Sequence, residues 1–249
     1  MKYIESIQNA RVKQWKKLLA KKERDKSGLF LVEGFHLVEE ALKQGLVDEL
    51  ILKEGTDLPL TWEIGAIDLY TVHKDIFKAI ADTDTPQGIA AVCKKPTFTE
   101  VGAEITTALL IDRVQDPGNI GTMIRTADAA GFDAVILGDG CADAYSPKVV
   151  RSTQGSLFHI PVMKGSLETW MENLQQSGVK VYGTALQGAK PYKEIAASER
   201  FAILVGNEGS GVSKDLLAKT DQNVYIPIHG KSESLNVAVA AGILMYGLK

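Results

Sequence analysis

Three segments in the C-terminal half of the chain constrain its fold more than any other feature. They are residues 116–132 (DPGNIGTMIRTADAAGF), 204–213 (LVGNEGSGVS) and 226–246 (IPIHGKSESLNVAVAAGILMY). Each joins a predicted strand to a predicted helix through a loop rich in Gly, Asn and Ser, where backbone amides can approach a small polar ligand closely. Three such loops in one domain predict a single composite site.

Length and composition set the general class. A chain of 249 residues, 45% hydrophobic and 24% charged, is typical of a globular protein with two domains. Cys93 and Cys141 lie far apart and show neither metal-ligand nor redox spacing, which indicates a reduced, cytoplasmic protein. No apolar run near the N-terminus resembles a secretory signal, and the uncharged stretch at Ser234 to Leu248 falls short of the roughly 20 residues that span a bilayer. We expect no membrane-spanning helix.

Basic charge is concentrated at the N-terminus. Residues 1–26 hold nine Lys/Arg and three Asp/Glu, a net charge of +6, whereas the remainder carries −9. A Lys-rich amphipathic helix is often only a solvated surface, and it is equally what a nucleic-acid-binding face requires. Charge alone leaves these two interpretations open.

Hydrophobic periodicity predicts a small α/β domain over residues 1–95. The predicted helices cover residues 9–25 and 35–44, and the predicted strands cover residues 29–32, 47–52, 66–71 and 88–92. A polar, Pro-containing segment at residues 94–104 follows, and we interpret it as a linker with the boundary near residue 100.

Residues 100–249 alternate regularly between strand and helix patterns. Strands are predicted at residues 108–112, 134–137, 157–161, 179–184, 201–205 and 224–227, and helices at 119–130, after Pro147, at 167–177 and at 237–245. This alternation predicts an α/β domain with a mostly parallel sheet and helices on both faces. The ligand is expected at the carboxyl ends of the strands.

Several familiar sites are absent. The turn after the first strand of this domain, residues 112–118 (DRVQDPG), lacks the G-x-G-x-x-G dinucleotide fingerprint. Gly230-Lys231-Ser232 imitates the end of a P-loop, but Tyr225 stands where the first Gly is required. No G-x-S-x-G hydrolase motif occurs. The histidines show no zinc-ligand spacing with each other or with the cysteines, so no metal is expected; they are His36, His73, His159 and His229.

Six polar residues of the three loops remain as candidates for chemistry. Three of them have an ordinary alternative: Asn119 as a helix cap, Arg125 as an ion-pair partner of Asp128, and Asn236 as the cap of the last helix. Glu208 follows a hydrophobic strand among glycines, so it needs a partner if it is enclosed, unless its loop is merely a surface loop. The set is Asn119, Arg125, Asn207, Glu208, Ser234 and Asn236.

The last predicted helix, residues 237–245, is apolar on every side. Such a helix must be buried against more than one neighbour, either inside its own domain or at a subunit interface. Its small residues allow close packing in both cases.

Together these residues resemble the SpoU, or TrmH-type, family of RNA ribose 2′-O-methyltransferases in the SPOUT superfamily. The first motif of that family is similar to Asn119 and Arg125 at their spacing, the second to residues 205–211 (VGNEGSG), and the third to residues 226–240 with Ser234, Leu235 and Asn236. Residues 1–95 are similar to the family's substrate-binding domain, a ribosomal-protein-like α/β fold, notably at FLVEG (30–34) and TPQG (85–88).

The resemblance implies properties that periodicity does not reveal. It implies a deep trefoil knot in the C-terminal sheet, S-adenosyl-L-methionine bound within the knot, and a homodimer with sites at the subunit interface. The implied catalytic residues are Arg125, Asn119, Glu208, Ser234 and Asn236, and the implied cofactor-binding residues are Thr184, Leu186, Gly206, Asn207, Gly211, Ile226, Pro227 and Leu235.

Arg125 is expected to meet RNA phosphate and the reacting ribose, because a guanidinium with a pKa above about 12 is a poor general base. Proton loss to water or to a substrate phosphate oxygen would complete the transfer. Ribosomal RNA of the large subunit is the favoured substrate, since a separate basic domain suits a large folded RNA. Transfer RNA, a non-catalytic RNA-binding or ribosome-assembly module, and a base-modifying knotted enzyme are the alternatives.

Overall fold

Two sheets organise the protein in a computed structural model that describes residues 2–97 and 105–249. The chain forms two compact units: residues 1–97 with 143–158, and residues 98–142 with 159–249. The predicted linker at residues 94–104 and the boundary near residue 100 lie mostly outside the described residues. The division into domains at 1–95 and 100–249 stays a prediction, and the first compact unit also takes in residues 143–158.

The first unit contains a five-stranded mixed sheet. Its strands lie in the order β1-β4-β3-β5-β2, with β5 antiparallel to both of its neighbours and the other pairs parallel. Apolar side chains of β3 and β5 are buried almost completely, and both strands lie inside the sheet with a neighbour on each side. The strands are β1 (Lys2–Ile4), β2 (Leu29–Glu33), β3 (Val47–Lys53), β4 (Asp68–Val72) and β5 (Ile89–Lys94).

The N-terminal helical segment differs from the single helix predicted at residues 9–25. It is divided into α1 (Ala10–Lys17) and α2 (Lys21–Ser27). Leu18 is the C-cap of α1, and the backbone is extended at Ala20, the N-cap of α2. Leu18 and Trp15 are buried in the core of this unit, and the Trp15 indole donates to Glu49 Oε2 at 2.7 Å. The next helices are α3 (Phe35–Lys43) and α4 (Lys74–Ile80), of which α4 was not predicted.

The second unit contains a seven-stranded sheet in which all neighbouring strands are parallel, as predicted. The order is β10-β12-β9-β11-β6-β7-β8, so β6 and β11 lie side by side near its middle. Both are buried along their whole length. The strands are β6 (Thr107–Asp112), β7 (Ala134–Leu137), β8 (Val162–Lys164), β9 (Lys180–Thr184), β10 (Lys190–Pro191), β11 (Phe201–Gly206) and β12 (Gln222–Tyr225).

Helices follow most of these strands. They are α5 (Pro117–Ala129), α6 (Pro147–Thr153), α7 (Leu167–Gln176), α8 (Lys214–Leu217) and α9 (Val237–Gly247). Helix α5 packs against α9, and Lys249 Nζ donates to the carbonyls of Ala130 and Gly131 at the end of α5. No helix in residues 2–97 or 105–249 has the length and apolarity needed to cross a bilayer.

Helix α6 and the turn after it belong to the first unit. Arg24 is buried and donates from Nε and Nη2 to Asp143 Oδ2, and Phe30 packs against Tyr145 and Phe158. The strand predicted at residues 157–161 was therefore wrong. Leu157 and Phe158 form a short 3-10 turn buried in that unit, and β8 begins only after Pro161.

Candidate functional site

The carboxyl ends of β6 and β11 bring the first two loops together. Asp112 at the end of β6 pairs in register with Gly206 at the end of β11. The chain leaves both strands at the same edge of the sheet, where parallel α/β folds bind their ligands. The polar residues of the two loops therefore meet.

Asp116, not Asn119, caps α5. Its carboxylate accepts from the Asn119 backbone amide at 2.9 Å, and Pro117 occupies the first helical turn. The prediction that Asn119 is the cap was wrong, because the helix starts two residues earlier than the apolar pattern indicated. As a result, the Asn119 side chain is available for other partners.

The Glu208 carboxylate accepts hydrogen bonds from three groups of the first loop. Asn119 Nδ2 donates to Oε1 at 3.1 Å, the backbone amide of Asp116 donates to Oε1 at 3.2 Å, and that of Gln115 donates to Oε2 at 3.4 Å. Desolvation acts to raise the pKa of Glu208, an exposed residue, but hydrogen bonds from its own amide, Asn119, Asp116 and Gln115 outweigh it and lower the pKa. Glu208 is therefore a fixed anion at neutral pH.

Asn207 shapes the second loop. Its Nδ2 donates to the carbonyl of Arg113 at 2.9 Å, and its Oδ1 accepts from the backbone amides of Gly209 and Ser210. Its backbone also pairs with Gly211 in an isolated bridge. The loop closes back on itself beside the first loop.

Gly206 allows this closure. A Cβ at Gly206 would lie 2.1 Å from the Val212 amide nitrogen and 2.2 Å from the Gly211 carbonyl carbon, closer than any side chain tolerates. The two backbone strands of the loop therefore need Gly at this position.

Asn236 connects the third loop to the first. It caps α9, accepting from the amides of Ala238 and Val239, and its Nδ2 donates to Asn119 Oδ1 at 2.9 Å. The capping interpretation is confirmed, and the same side chain has a second bond that the sequence did not predict. A line of hydrogen bonds thus runs from Glu208 through Asn119 to Asn236.

Arg125 lies on an exposed position of α5. Within residues 2–97 and 105–249 it forms no hydrogen bond or ion pair, and Asp128 instead lies 3.3 Å from His159 Nδ1. The interpretation that Arg125 pairs with Asp128 was therefore wrong. Arg125 likewise forms no hydrogen bond or ion pair with Glu208, Ser234 or Asn236 in the described part of the chain.

Ser234 and Leu235 of the third loop are exposed. The backbone carbonyl of Ser234 accepts from Ser232 Oγ at 2.8 Å, and Leu235 is 38% exposed. The functional roles of Ser234 and Leu235 stay predictions.

Two more strand ends, those of β9 and β12, bring the proposed cofactor-binding residues to the same edge. Thr184 ends β9, pairs in register with Val224 of β12, and donates from Oγ1 to the Leu204 carbonyl at 3.0 Å. Ile226 and Pro227 directly follow β12 and are half-buried, whereas Leu186 is 77% exposed. Backbone groups and apolar side chains therefore border the site next to Gly206.

Two functional candidates escaped the sequence analysis. Asp112 is only 5% exposed, accepts from the Ser213 amide at 2.9 Å and holds the Arg113 guanidinium through both oxygens. Arg113 has a backbone φ of 54°. The position of this charged pair at the end of a hydrophobic strand was the available signal.

Helix α9 is buried on one side and exposed on the other. Ala238, Ala241, Leu244 and Met245 are buried, whereas Val239 is 52% and Tyr246 62% exposed. Val239 and Tyr246 lie on one face of α9, and Leu235 is exposed directly before the helix cap; we call these three side chains the α9 stripe (Leu235, Val239, Tyr246). The described residues of this chain do not cover it.

One cluster in the first unit has metal-ligand chemistry. His36, Glu39 and Glu40 of α3 place their ligand atoms within 4.8 Å of one another. Lys43 Nζ already lies 2.8 Å from Glu40 and 3.5 Å from Glu39, so a cation is present between the carboxylates. The cluster does not require a metal ion for charge balance.

Comparisons with known proteins agree with this arrangement. Residues 106–246 match the SpoU rRNA Methylase family model, and residues 9–91 match an MRM3-like substrate binding domain. The chain is 58% identical over 250 residues to the 23S rRNA (guanosine(2553)-2'-O)-methyltransferase RlmP of Bacillus subtilis (strain 168), with 100% of both chains covered.

Two solved structures are similar over nearly the whole chain. One is the AdoMet-bound rRNA methyltransferase of Sinorhizobium meliloti, with a TM-score of 0.89 and 31% identity over 99% of this chain and 97% of that one. The other is the SpoU methyltransferase AviRb of Streptomyces viridochromogenes in complex with AdoMet, with a TM-score of 0.86 and 29% identity over 97% of each chain.

Proposed function

Since this chain belongs to the SpoU rRNA methylase family, we propose that it is an enzyme that uses S-adenosyl-L-methionine to methylate a ribose 2′-hydroxyl in large-subunit ribosomal RNA. The observation that carries the proposal is the line of hydrogen bonds from Glu208 through Asn119 to Asn236. It joins all three family motifs at one edge of the sheet. The name of the Bacillus subtilis relative supports ribosomal RNA over transfer RNA, and guanosine as the target nucleoside.

The residues at this edge fit the cofactor. A cradle of backbone groups forms where Gly206 excludes a side chain, and exposed apolar side chains of Leu186 and Leu235 are available to cover a ligand. Thr184, Asn207, Gly211, Ile226 and Pro227 would complete the binding site. When bound, the cofactor supplies a methyl group on a sulfonium, which an oxygen nucleophile can attack in line. The two AdoMet-bound relatives support this part of the proposal.

The protein's own contribution is placement and charge. The Glu208 anion, with its donors from the first loop, keeps the first and second loops in one geometry, and Asn236 keeps the third loop with them. Arg125, a cation without a partner among the described residues, would bind phosphate and stabilise negative charge on the ribose oxygen. Ser234 would contact the ligand from the third loop. Proton loss goes to water or to an RNA phosphate oxygen.

The RNA-binding surface is proposed on the first unit. We define the lysine face as Lys13, Lys16 and Lys17 of α1 with Lys22 and Lys26 of α2. All five are exposed, and within the described part of the chain none has an ion-pair partner. Unpaired lysines attract a polyanion by counterion release. The match to a substrate binding domain supports the same assignment.

A homodimer is part of the proposal. The α9 stripe exposes apolar area directly next to Asn236, the cap of α9 and a member of the site. A second copy of the chain would bury this area and bring its own surface to the site. The trefoil knot and a cytoplasmic location are likewise proposed, with the similarity to the two AdoMet-bound structures as support for the knot.

The first experiment is transfer of labelled methyl from S-adenosyl-L-methionine to total RNA from cells that lack the protein. Arg125→Ala is the control, and mass spectrometry identifies the nucleoside. A 2′-O-methylated guanosine in large-subunit RNA, lost in the variant, is the expected result. Label in transfer RNA would favour that alternative substrate. If naked RNA and intact ribosomal particles all stay unlabelled, the protein is a non-catalytic RNA-binding module.

A further inference from the structure

Arg113 has an unusual backbone for a residue with a side chain. It directly follows β6 in the first loop, and its φ of 54° lies in the left-handed region that favours Gly. Residues held in such conformations concentrate at functional sites, where the surrounding structure compensates the strain. What holds Arg113 there is therefore informative.

Both the backbone and the side chain of Arg113 are held by neighbours. Asn207 Nδ2 donates to its carbonyl at 2.9 Å. Its Nε donates to Asp112 Oδ1 at 2.9 Å and its Nη2 to Asp112 Oδ2 at 3.1 Å. Asp112 is itself buried and receives the Ser213 amide. Gly140 leaves room for the arginine, because a Cβ there would lie 3.1 Å from Arg113 Cγ. The guanidinium is thus fixed before any ligand arrives.

One edge of this guanidinium is open. The bidentate contact uses the Nε and Nη2 edge, which leaves one N–H of Nη1 and the second N–H of Nη2 as parallel donors. The side chain is 44% exposed, and the described residues provide no other hydrogen-bond acceptor for it. Such a fork fits two acceptors side by side, either phosphate oxygens or O6 and N7 of guanine.

The charge of the pair favours the base. Asp112 lies against Arg113 and cancels most of its charge, so the pair gains little Coulombic attraction for phosphate, whereas its directed donors are unaffected. Arg125, by contrast, is an unpaired cation suited to phosphate. We propose that Arg113 recognises the guanine of the methylated nucleotide, donating from Nη1 and Nη2 to its O6 and N7. This inference rests on the proposed function.

The test removes the N7 acceptor of the guanine from the RNA and the guanidinium of Arg113 from the protein. Once the modified nucleotide has been mapped, two large-subunit RNA fragments are assembled by ligation, with guanosine or 7-deazaguanosine at that position. The latter replaces N7 by a C–H group. Both are given to wild-type protein, to Arg113→Lys, to Arg113→Gly and to Arg151→Lys, a control for another arginine that is paired to a carboxylate. Melting temperature and S-adenosyl-L-methionine affinity are measured for each protein.

The expected result is a loss of about tenfold in kcat/KM on 7-deazaguanosine RNA for wild type and Arg151→Lys. Arg113→Lys should methylate both RNAs equally, at the rate that wild type shows on the 7-deaza RNA, with unchanged cofactor affinity. Arg113→Gly should behave like Arg113→Lys, since Gly adopts a positive φ without strain.

Three results overturn the inference. The first is equal wild-type activity on both RNAs. The second is a mapped nucleotide other than guanosine. The third is a 7-deaza loss in Arg113→Lys as large as that in wild type; if the activity of this variant is also lower than wild type on both RNAs, it indicates a phosphate contact or, if the melting temperature falls, only a structural role. Failure of the proposed function is distinct, because wild type would then methylate neither RNA.

Discussion

Asn119 donates to Glu208 and accepts from Asn236, at 3.1 Å and 2.9 Å. Its amide is the one side chain through which the second loop's anion and the third loop's helix cap are connected in the structure described. This relationship decides which substitutions should separate activity from folding.

Asn236 has two separable roles. Asn236→Ala removes both the cap of α9 and the bond to Asn119, so we expect a stability loss of about 1 kcal/mol with reduced methyl transfer. Asn236→Asp keeps the acceptor for the amides of α9 but loses the Nδ2 donor. We therefore expect near wild-type unfolding by urea and a fall of about tenfold in kcat/KM. Asn9→Asp, at the cap of α1, is the matched control and should change neither quantity. Equal activity of Asn236→Asp and wild type would contradict the role given to this bond.

Gly206 should not accept a side chain. Gly206→Ala forces the loop apart at Val212, so we expect a loss of roughly 2 kcal/mol or more in the free energy of unfolding, with weaker cofactor binding by calorimetry. Gly209→Ala in the same loop is the control, because its Cβ would meet only the Asn207 side chain at 3.6 Å. That variant should stay within about 0.5 kcal/mol of wild type. Similar stabilities for the two variants would show that the loop can rearrange to accommodate a Cβ at Gly206.

Arg125 should contribute to reaction without contributing to folding. Because it is exposed and unpaired among the described residues, Arg125→Ala and Arg125→Lys should alter stability by less than about 0.5 kcal/mol. Methyl transfer should fall roughly 100-fold in both, since a lysine ammonium lacks the bidentate fork. Single-turnover rates at saturating RNA provide the measurement, with Lys180→Ala as a surface control. Near wild-type turnover in Arg125→Lys would show that methyl transfer does not need the bidentate guanidinium.

Acid should weaken the site through Glu208. Its folded-state pKa lies below the ordinary value of 4.5, so the folded protein binds the proton less tightly than the unfolded chain does. The stabilisation is therefore complete above that value and is lost as pH falls through the lowered pKa. Urea unfolding from neutral pH down to about pH 3 should show a smaller stability loss for Glu208→Gln than for wild type. Glu199→Gln, an exposed control, should follow wild type. If the stability of Glu208→Gln and that of wild type fall in parallel with pH, Glu208 is not the source of the acid sensitivity.

The lysine face should determine salt dependence rather than chemistry. Replacing Lys13, Lys16 and Lys17 by Gln should lower the slope of log Kd for RNA against log salt by about 2, at roughly 0.7 per lost phosphate contact. Cofactor affinity and the rate at saturating RNA should not change. The control replaces three exposed lysines of the second unit by Gln: Lys180, Lys190 and Lys193. An equal slope change in both triple variants would mean that the charge effect is general and not specific to α1.

Local sequence was sufficient for the parallel sheet and for most elements of the second unit. The strand predicted at residues 134–137 is β7 (Ala134–Leu137), because four buried apolar residues between turns have few alternatives. The strand predicted at 157–161 failed because Phe158 packs on Phe30, a residue distant in sequence. Asn119 was misassigned as a cap because Asp116 competes for the same helix end and lies earlier in the chain. Which of the two residues caps the helix depends on the backbone conformation at its start, which the residue types alone do not specify.

The amino-acid sequence by itself determined the class of the protein. Strand and helix periodicity, three Gly- and Asn-rich loops and the spacing of their polar residues were enough to indicate the family, since all are local properties of the chain. Only tertiary structure decided which side chains meet. The pairing of β6 with β11 places Glu208 beside Asn119, although 89 positions separate them. Among the described residues, the tertiary structure also leaves Arg125 without an ion-pair partner, although Asp128 follows it on the same helix. Hydrogen bonds between distant residues depend on strand order and register, which no local pattern specifies.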